Sequence, residues 1–294
     1  MQLRRLKELL ATRSMRLVVY FANSLVLLMV AGLYLKSRPI LASKSLSHLL
    51  FSSTWHPLEG EFGFYPFIIG TIEITLIAMA IAVPICLLAA IYLSEYTTAR
   101  YRESIRIVID LMAGIPSVIY GLFGVIVIVP AVRDIGRFLG RSTTGYTLFS
   151  GGIILAIMVI PIITSVATEV MRTVPMEARE TSLALGITRW EAVKHVVLKS
   201  ALHGIFSAIV LGFARAFGET IAVMMVVGNV PRVPGSIFDP AYTLPALIAN
   251  NYGEMMSIPL YDSALLLAAL ILLVVVGGFH LAAHLTLARL ERRP

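Results

Sequence analysis

One cysteine stands in 294 residues, Cys86 inside an apolar run, so an intrachain disulfide is excluded and the redox compartment is left unmarked. Charge is scarce as well, with Asp, Glu, Lys and Arg making up 14% of the chain against 58% hydrophobic residues. A soluble core of this size cannot hide so much apolar surface, and a mean hydropathy of +0.86 makes lipid part of the solvent. Also missing are a Gly-rich Walker pattern with its Lys, a dinucleotide glycine fingerprint, a nucleophile motif and a catalytic acid pair. Enzyme chemistry, a cofactor and an ATP site within the chain are therefore not expected. No internal repeat, low-complexity segment or linker divides the sequence, and the expectation is one all-α transmembrane domain over residues 1–294.

The net charge of +7 does not point to nucleic acid, because basic residues gather at the cytoplasmic ends of membrane helices. A bilayer core of about 30 Å needs roughly 20 apolar residues in a helix, and six runs meet or approach this. They cover residues 17–35, 66–93, 107–130, 151–168, 203–228 and 260–287. The first follows Arg4, Arg5, Lys7, Arg13 and Arg16, but it is longer than a signal h-region. Lys36, Ser37 and Arg38 then stand where a cleavage site would, so it reads as a retained anchor. With both termini in the cytoplasm, 16 of the 24 Lys and Arg fall inside.

Arg133, Arg137 and Arg141 break that rule. Spaced i, i+4, i+8, they would share one face in a helix, and that face would either rest on lipid headgroups or form a positive vestibule for an anion. Pro84, Pro116 and Pro161 lie near the middle of three spans, where each removes a backbone donor and bends its helix. Charges within spans are costly and point to a pathway. Arg215 and Glu219, one turn apart, are expected on the face of Gly204, Ala208, Gly212 and Ala222, which permits close helix approach. Phe206, Val210, Phe213 and Phe217 take the other face. Glu73, two turns into the second span, is either part of the pathway or an interfacial anchor. Asp110, Glu169 and Asp262 sit near helix ends, where hydrated charges are ordinary. His280 and His284 share a face, yet no third ligand accompanies them, so a metal site is not expected.

Between the fourth and fifth spans, residues 173–199 carry too many charges to cross a membrane but read as structured. Thr173 and Pro175 offer a helix start, Gly186 a stop, and Thr188 with Glu191 the spacing of a capping box. Two short helices bent at Gly186 are expected. Here the sequence resembles the membrane subunits of ABC importers, whose cytoplasmic pattern runs Glu-Ala-Ala, three residues, Gly, nine residues, Ile, one residue, Leu-Pro. The counterparts are Glu180, Thr181 and Ser182, then Gly186, then Val196, Leu198 and Lys199, with spacing kept and Thr181, Ser182, Val196 and Lys199 departing in identity. The resemblance implies a type I importer permease fold and a coupling helix, with Glu180, Ala184, Gly186 and Ile187 docking on a separate ATPase.

Further stretches are similar to the phosphate-specific permeases of this superfamily. They include Ser53–Pro57, Glu61–Gly63, Gly70–Thr71, Ile91–Tyr96, Ala113–Gly121, Ile154–Pro161 and Arg215–Thr220. The Trp55-His56-Pro57 segment and Val227-Gly228-Asn229 look more like the C-type subunit than its A-type companion. The resemblance implies a heterodimer with an A-type permease, two ATP-binding subunits, a periplasmic phosphate-binding protein and a place in the bacterial inner membrane. For phosphate, Arg215 offers a planar fork of donors whose charge does not titrate, with Glu219 keeping it in place; the alternative is an internal ion pair that only fixes helix packing. A permease for molybdate or sulfate, or a gradient-driven transporter, are the other readings.

Overall fold

The structure, a computed structural model, describes residues 2–254 and 258–291, apart from the side chains of 2–6, 9, 284 and 286–291. His284 and the C-terminal arginines therefore lie outside the described side chains. A long helix α1 (Gln2–Ser43) and a short α2 (Leu46–Phe51) lead into a hairpin of β1 (Trp55–His56) and β2 (Glu61–Phe62). Its turn closes at Gly60, with φ of 74°. Then come α3 (Tyr65–Ile91), extended by one wide turn over Tyr92–Tyr96, and α4 (Ala99–Gly114). The short α5 (Ser117–Phe123) runs through a wide turn into α6 (Val129–Phe138), followed by α7 (Leu148–Arg172) and α8 (Met176–Ala184). The remainder is α9 (Arg189–Ala192), α10 (Leu198–Ser200), α11 (Leu202–Phe217), α12 (Ile221–Val226), α13 (Leu244–Asn251) and α14 (Tyr261–Glu291).

Among the described residues, five helical runs are long and apolar enough to cross a membrane: Leu10–Ser43, Tyr65–Tyr96, Ser117–Phe138, Leu148–Arg172 and Tyr261–Ala283. A sixth is reached if Arg189–Ser200 and Leu202–Phe217, which meet at 70°, count as one. Buried clusters show the alternation of direction. At one end, Ala90 and Ile91 of α3 meet Ala167 and Met171 of α7 and Ile205 of α11. At the other, Ile40 of α1 meets Phe64 and Phe67 near the start of α3 and Tyr261 and Leu265 of α14. We call the first end, where α1 begins and α3 finishes, the N-terminal face.

Four expected spans fall, to within a residue at their ends, inside α1, α3 with its wide turn, α7 and α14, and two are corrected. The run 107–130 is not one helix. Ile115, held extended ahead of Pro116, ends α4, and the long apolar helix begins at Ser117 and reaches Phe138. Pro116 is thus a helix boundary, whereas Pro84 and Pro161 lie inside continuous helices. The run 203–228 is also broken, since α11 stops at Phe217 and α12 starts at Ile221. The α3–α7 pair forms the centre of the bundle. Gly151 and Gly152 of α7 face Ile74 and Ile77 of α3 so closely that a Cβ at either would overlap them. On the far side, Ser263 accepts the Ile40 amide at 3.1 Å, beside the kink-prone Pro39 of α1. There too Lys44 reaches Glu61 at 2.7 Å and holds that carboxyl below its ordinary range.

Candidate functional site

Small residues set α11 directly against α7. A Cβ added to Gly204 would overlap Val170, and one added to Gly212 would overlap Ile163. The opposite face of α11 stacks Phe213 on Phe279 of α14, with ring centroids 4.1 Å apart. At the C-terminal end of α11 the chain passes through Gly218, Glu219 and Thr220 before resuming as α12. Arg215 occupies the last turn of α11, where the helix dipole favours a cation. Glu219 precedes the first turn of α12, and its Oε1 lies 3.5 Å from the Ala222 amide. Its Oε2 lies 3.6 Å from Arg215 Nη2, with side-chain exposures of 53% for Arg215 and 5% for Glu219. The acid is therefore enclosed while the guanidinium keeps open surface. An interrupted helix within a membrane leaves backbone dipole ends unpaired, and such ends are places where ions are held.

The structure brings Arg215 and Glu219 together but keeps Glu73 apart from them. Glu73 lines a cavity of about 350 Å³ with Leu148 and the loop residues Pro234 to Ile237 on the far side. Arg133 and Arg137 share Asp134 at 3.5 and 3.7 Å, and Arg141 donates to Ser236 at 3.3 Å. Beside them Ile135, Phe138 and Leu139 are exposed. No group of three or more His, Cys, Asp or Glu side chains that could hold a metal occurs among the described residues.

On the N-terminal face, α8 and α9 form a bent pair. Gly186 has φ of 83°, a left-handed conformation that stops α8. Thr188 accepts from the Glu191 amide and Glu191 accepts from the Thr188 amide, completing a reciprocal cap. Glu180, Ala184 and Gly186 are exposed and Ile187 is half-buried. Leu185, 79% exposed, projects at the bend. Behind this pair lies a cavity of about 560 Å³ whose lining includes Arg102, Arg172, Arg179 and Arg189. Within it, Arg179 binds both carboxylate oxygens of Glu95, at 2.9 and 3.1 Å. The sequence reading missed this pair, because 84 residues separate its members and neither belongs to a spacing motif.

Residues 82–292 match the family described as binding-protein-dependent transport system inner membrane component. The chain is similar to the phosphate transport system permease protein PstC of Xylella fastidiosa strain 9a5c, 37% identical over 97% of this chain and 91% of the relative. It is 38% identical to the probable ABC transporter permease protein YqgH of Bacillus subtilis strain 168, over 76% of this chain and 72% of that protein. Among solved structures, the inward-facing MetNI methionine ABC transporter aligns with a TM-score of 0.58 and 19% identity, covering 75% of this chain and 92% of that one. A bacterial ABC transporter that imports the acidic polysaccharide alginate aligns with a TM-score of 0.59 and 15% identity, covering 86% and 89%.

Proposed function

The chain belongs to the binding-protein-dependent transport system inner membrane component family, and on that premise we propose that it is the C-type permease subunit of an ATP-driven phosphate importer. The fold is that of a type I ABC importer permease in a multi-pass inner-membrane protein. ATP hydrolysis resides on separate subunits, and the N-terminal face is cytoplasmic. An A-type permease completes a heterodimer, two ATP-binding subunits dock below it, and a periplasmic phosphate-binding protein delivers the substrate above.

The observation that carries the substrate reading is the open guanidinium of Arg215 at the helix break, backed by a buried carboxylate. Such an arrangement offers a compact oxyanion a fork of donors while Glu219 limits how tightly it is held. The test is phosphate uptake driven by ATP in vesicles reconstituted with and without this chain. Uptake that needs the chain, and that excess sulfate does not compete away, supports the proposal. Uptake driven by an ion gradient without ATP would refute it, and competition by sulfate or molybdate would reassign the substrate.

Outside, Arg133, Arg137 and Arg141 keep two positive charges in excess after Asp134 is counted. Steering by exposed charges fades as the Debye length falls from about 30 Å at 0.01 M salt to about 8 Å at 0.15 M. Changing all three to Gln is expected to slow phosphate entry at low salt and to leave it unchanged at physiological salt. Initial uptake rates at the two salt concentrations decide this, and a salt-independent effect, or none, assigns the arginines to lipid headgroups.

A further inference from the structure

The N-terminal ends of neither α8 nor α9 explain why so many guanidiniums gather behind them, but the end of α3 does. Its last turn, Tyr92–Tyr96, leaves carbonyls that the helix cannot satisfy. Arg102 of α4 donates to the Ser94 and Thr97 carbonyls at 3.2 and 3.0 Å and also reaches Leu93. Arg189 of α9 donates to the Glu95 carbonyl and lies over the Tyr96 ring, 4.8 Å from its centroid. Arg179 of α8 binds the Glu95 carboxylate through two parallel bonds and also donates to the Met171 and Val174 carbonyls at the end of α7, at 2.8 and 2.5 Å. One guanidinium thus neutralises a carboxylate in the last turn of α3 and caps the C-terminal end of α7. The Arg179 and Glu95 side chains are 15% and 8% exposed.

We propose that Glu95 and Arg179 are the positioning pair that makes the α8–α9 segment and the ends of α3 and α7 move as one body, so that a displacement of the segment reaches the transport helices. The proposal rests on the reading of α8–α9 as the ATPase-docking element. The connection is mechanical and continuous. A buried bidentate pair resists separation far more than an exposed one, α3 and α7 meet through Gly151 and Gly152, and α7 meets α11 through Gly204 and Gly212. The end of α11 carries Arg215. A lysine at 179 keeps the charge and loses the fork, and a glutamine at 95 keeps the shape and loses the charge.

The experiment uses the whole complex with its binding protein in proteoliposomes, comparing phosphate taken up per ATP hydrolysed. Arg179→Lys and Glu95→Gln are each expected to assemble and to hydrolyse ATP within about twofold of the parent, while uptake per ATP falls at least tenfold. An unchanged ratio overturns the proposal. Loss of assembly in both variants also overturns it, since the pair would then only hold the fold. A separate measurement guards the premise: Leu185→Cys, at the exposed bend, should cross-link to the ATPase, Cys86 being buried. A cross-link with an unchanged ratio sinks the pair alone, and no cross-link to the ATPase sinks the docking reading.

Discussion

Arg215→Gln is expected to abolish phosphate uptake while the complex still assembles and binds ATP. The substitution removes the Arg215 charge from the break between α11 and α12 and leaves the enclosed Glu219 facing any incoming anion. Charge-assisted bonds are worth about 1.5–3 kcal/mol each, and two of them lost from a bound oxyanion amount to well over tenfold. Repulsion from Glu219 adds to that loss. A packing role gives a different result. If the pair only fixes the helix break, Arg215→Gln combined with Glu219→Gln removes both charges and restores transport. We expect no recovery in the double variant, because the neutral site has no charged donor. Uptake of labelled phosphate in reconstituted vesicles, with ATPase copurification as the assembly control, reads both variants, and recovery would refute the anion-contact role.

Gly186→Val is expected to be the second severe change, reducing both binding-protein-stimulated ATP hydrolysis and uptake at least tenfold. The cause is torsional. At φ of 83° nothing lies within 4 Å of the position a Cβ would take, so valine clashes with no neighbour. A β-branched residue in the left-handed region costs roughly 1–2 kcal/mol or more, which the exposed segment relieves by unwinding the end of α8. Leu185 and Ile187 then leave their places at the bend. Asn tolerates left-handed geometry, so Gly186→Asn should retain most of both activities. Normal coupling in the valine variant would remove the basis for assigning this bend to the ATPase contact.

Which features could be read from residues, and which could not, follows from the range of the interactions that make them. The bend at Gly186 and the Thr188–Glu191 cap are local, made by residues within a turn of one another, and their spacing displayed them. The approach of Arg215 and Glu219 was visible for the same reason. Their interruption of the helix was not, because the run 203–228 stays apolar on both sides of it. What separates α11 from α12 is partly local, the Glu219 carboxylate facing the Ala222 amide three residues on, and partly tertiary, since Glu219 is enclosed and Gly121 of α5 sits against Ala222. Pro116 misled in the opposite direction. Proline inside an apolar run reads equally as a kink or a stop, and here Tyr120 donates to the Met112 carbonyl at 2.8 Å across a true stop. The Glu95–Arg179 pair joins distant segments and had no local signal at all.

The contact between α7 and α11 carries one more consequence. Most helix pairs are separated by a layer of side chains that can change rotamer and so act as a lubricant. At Gly204 and Gly212 that layer is missing on one side, and Val170 and Ile163 rest on bare main chain. Repulsion between such surfaces rises steeply over a few tenths of an ångström, so sliding one helix along the other would force branched side chains over a ridge of backbone atoms. The two helices have no shear plane. Strain arriving at either is carried to its ends, where Thr173 follows α7 and Gly218 follows α11 and the helical hydrogen bonds stop.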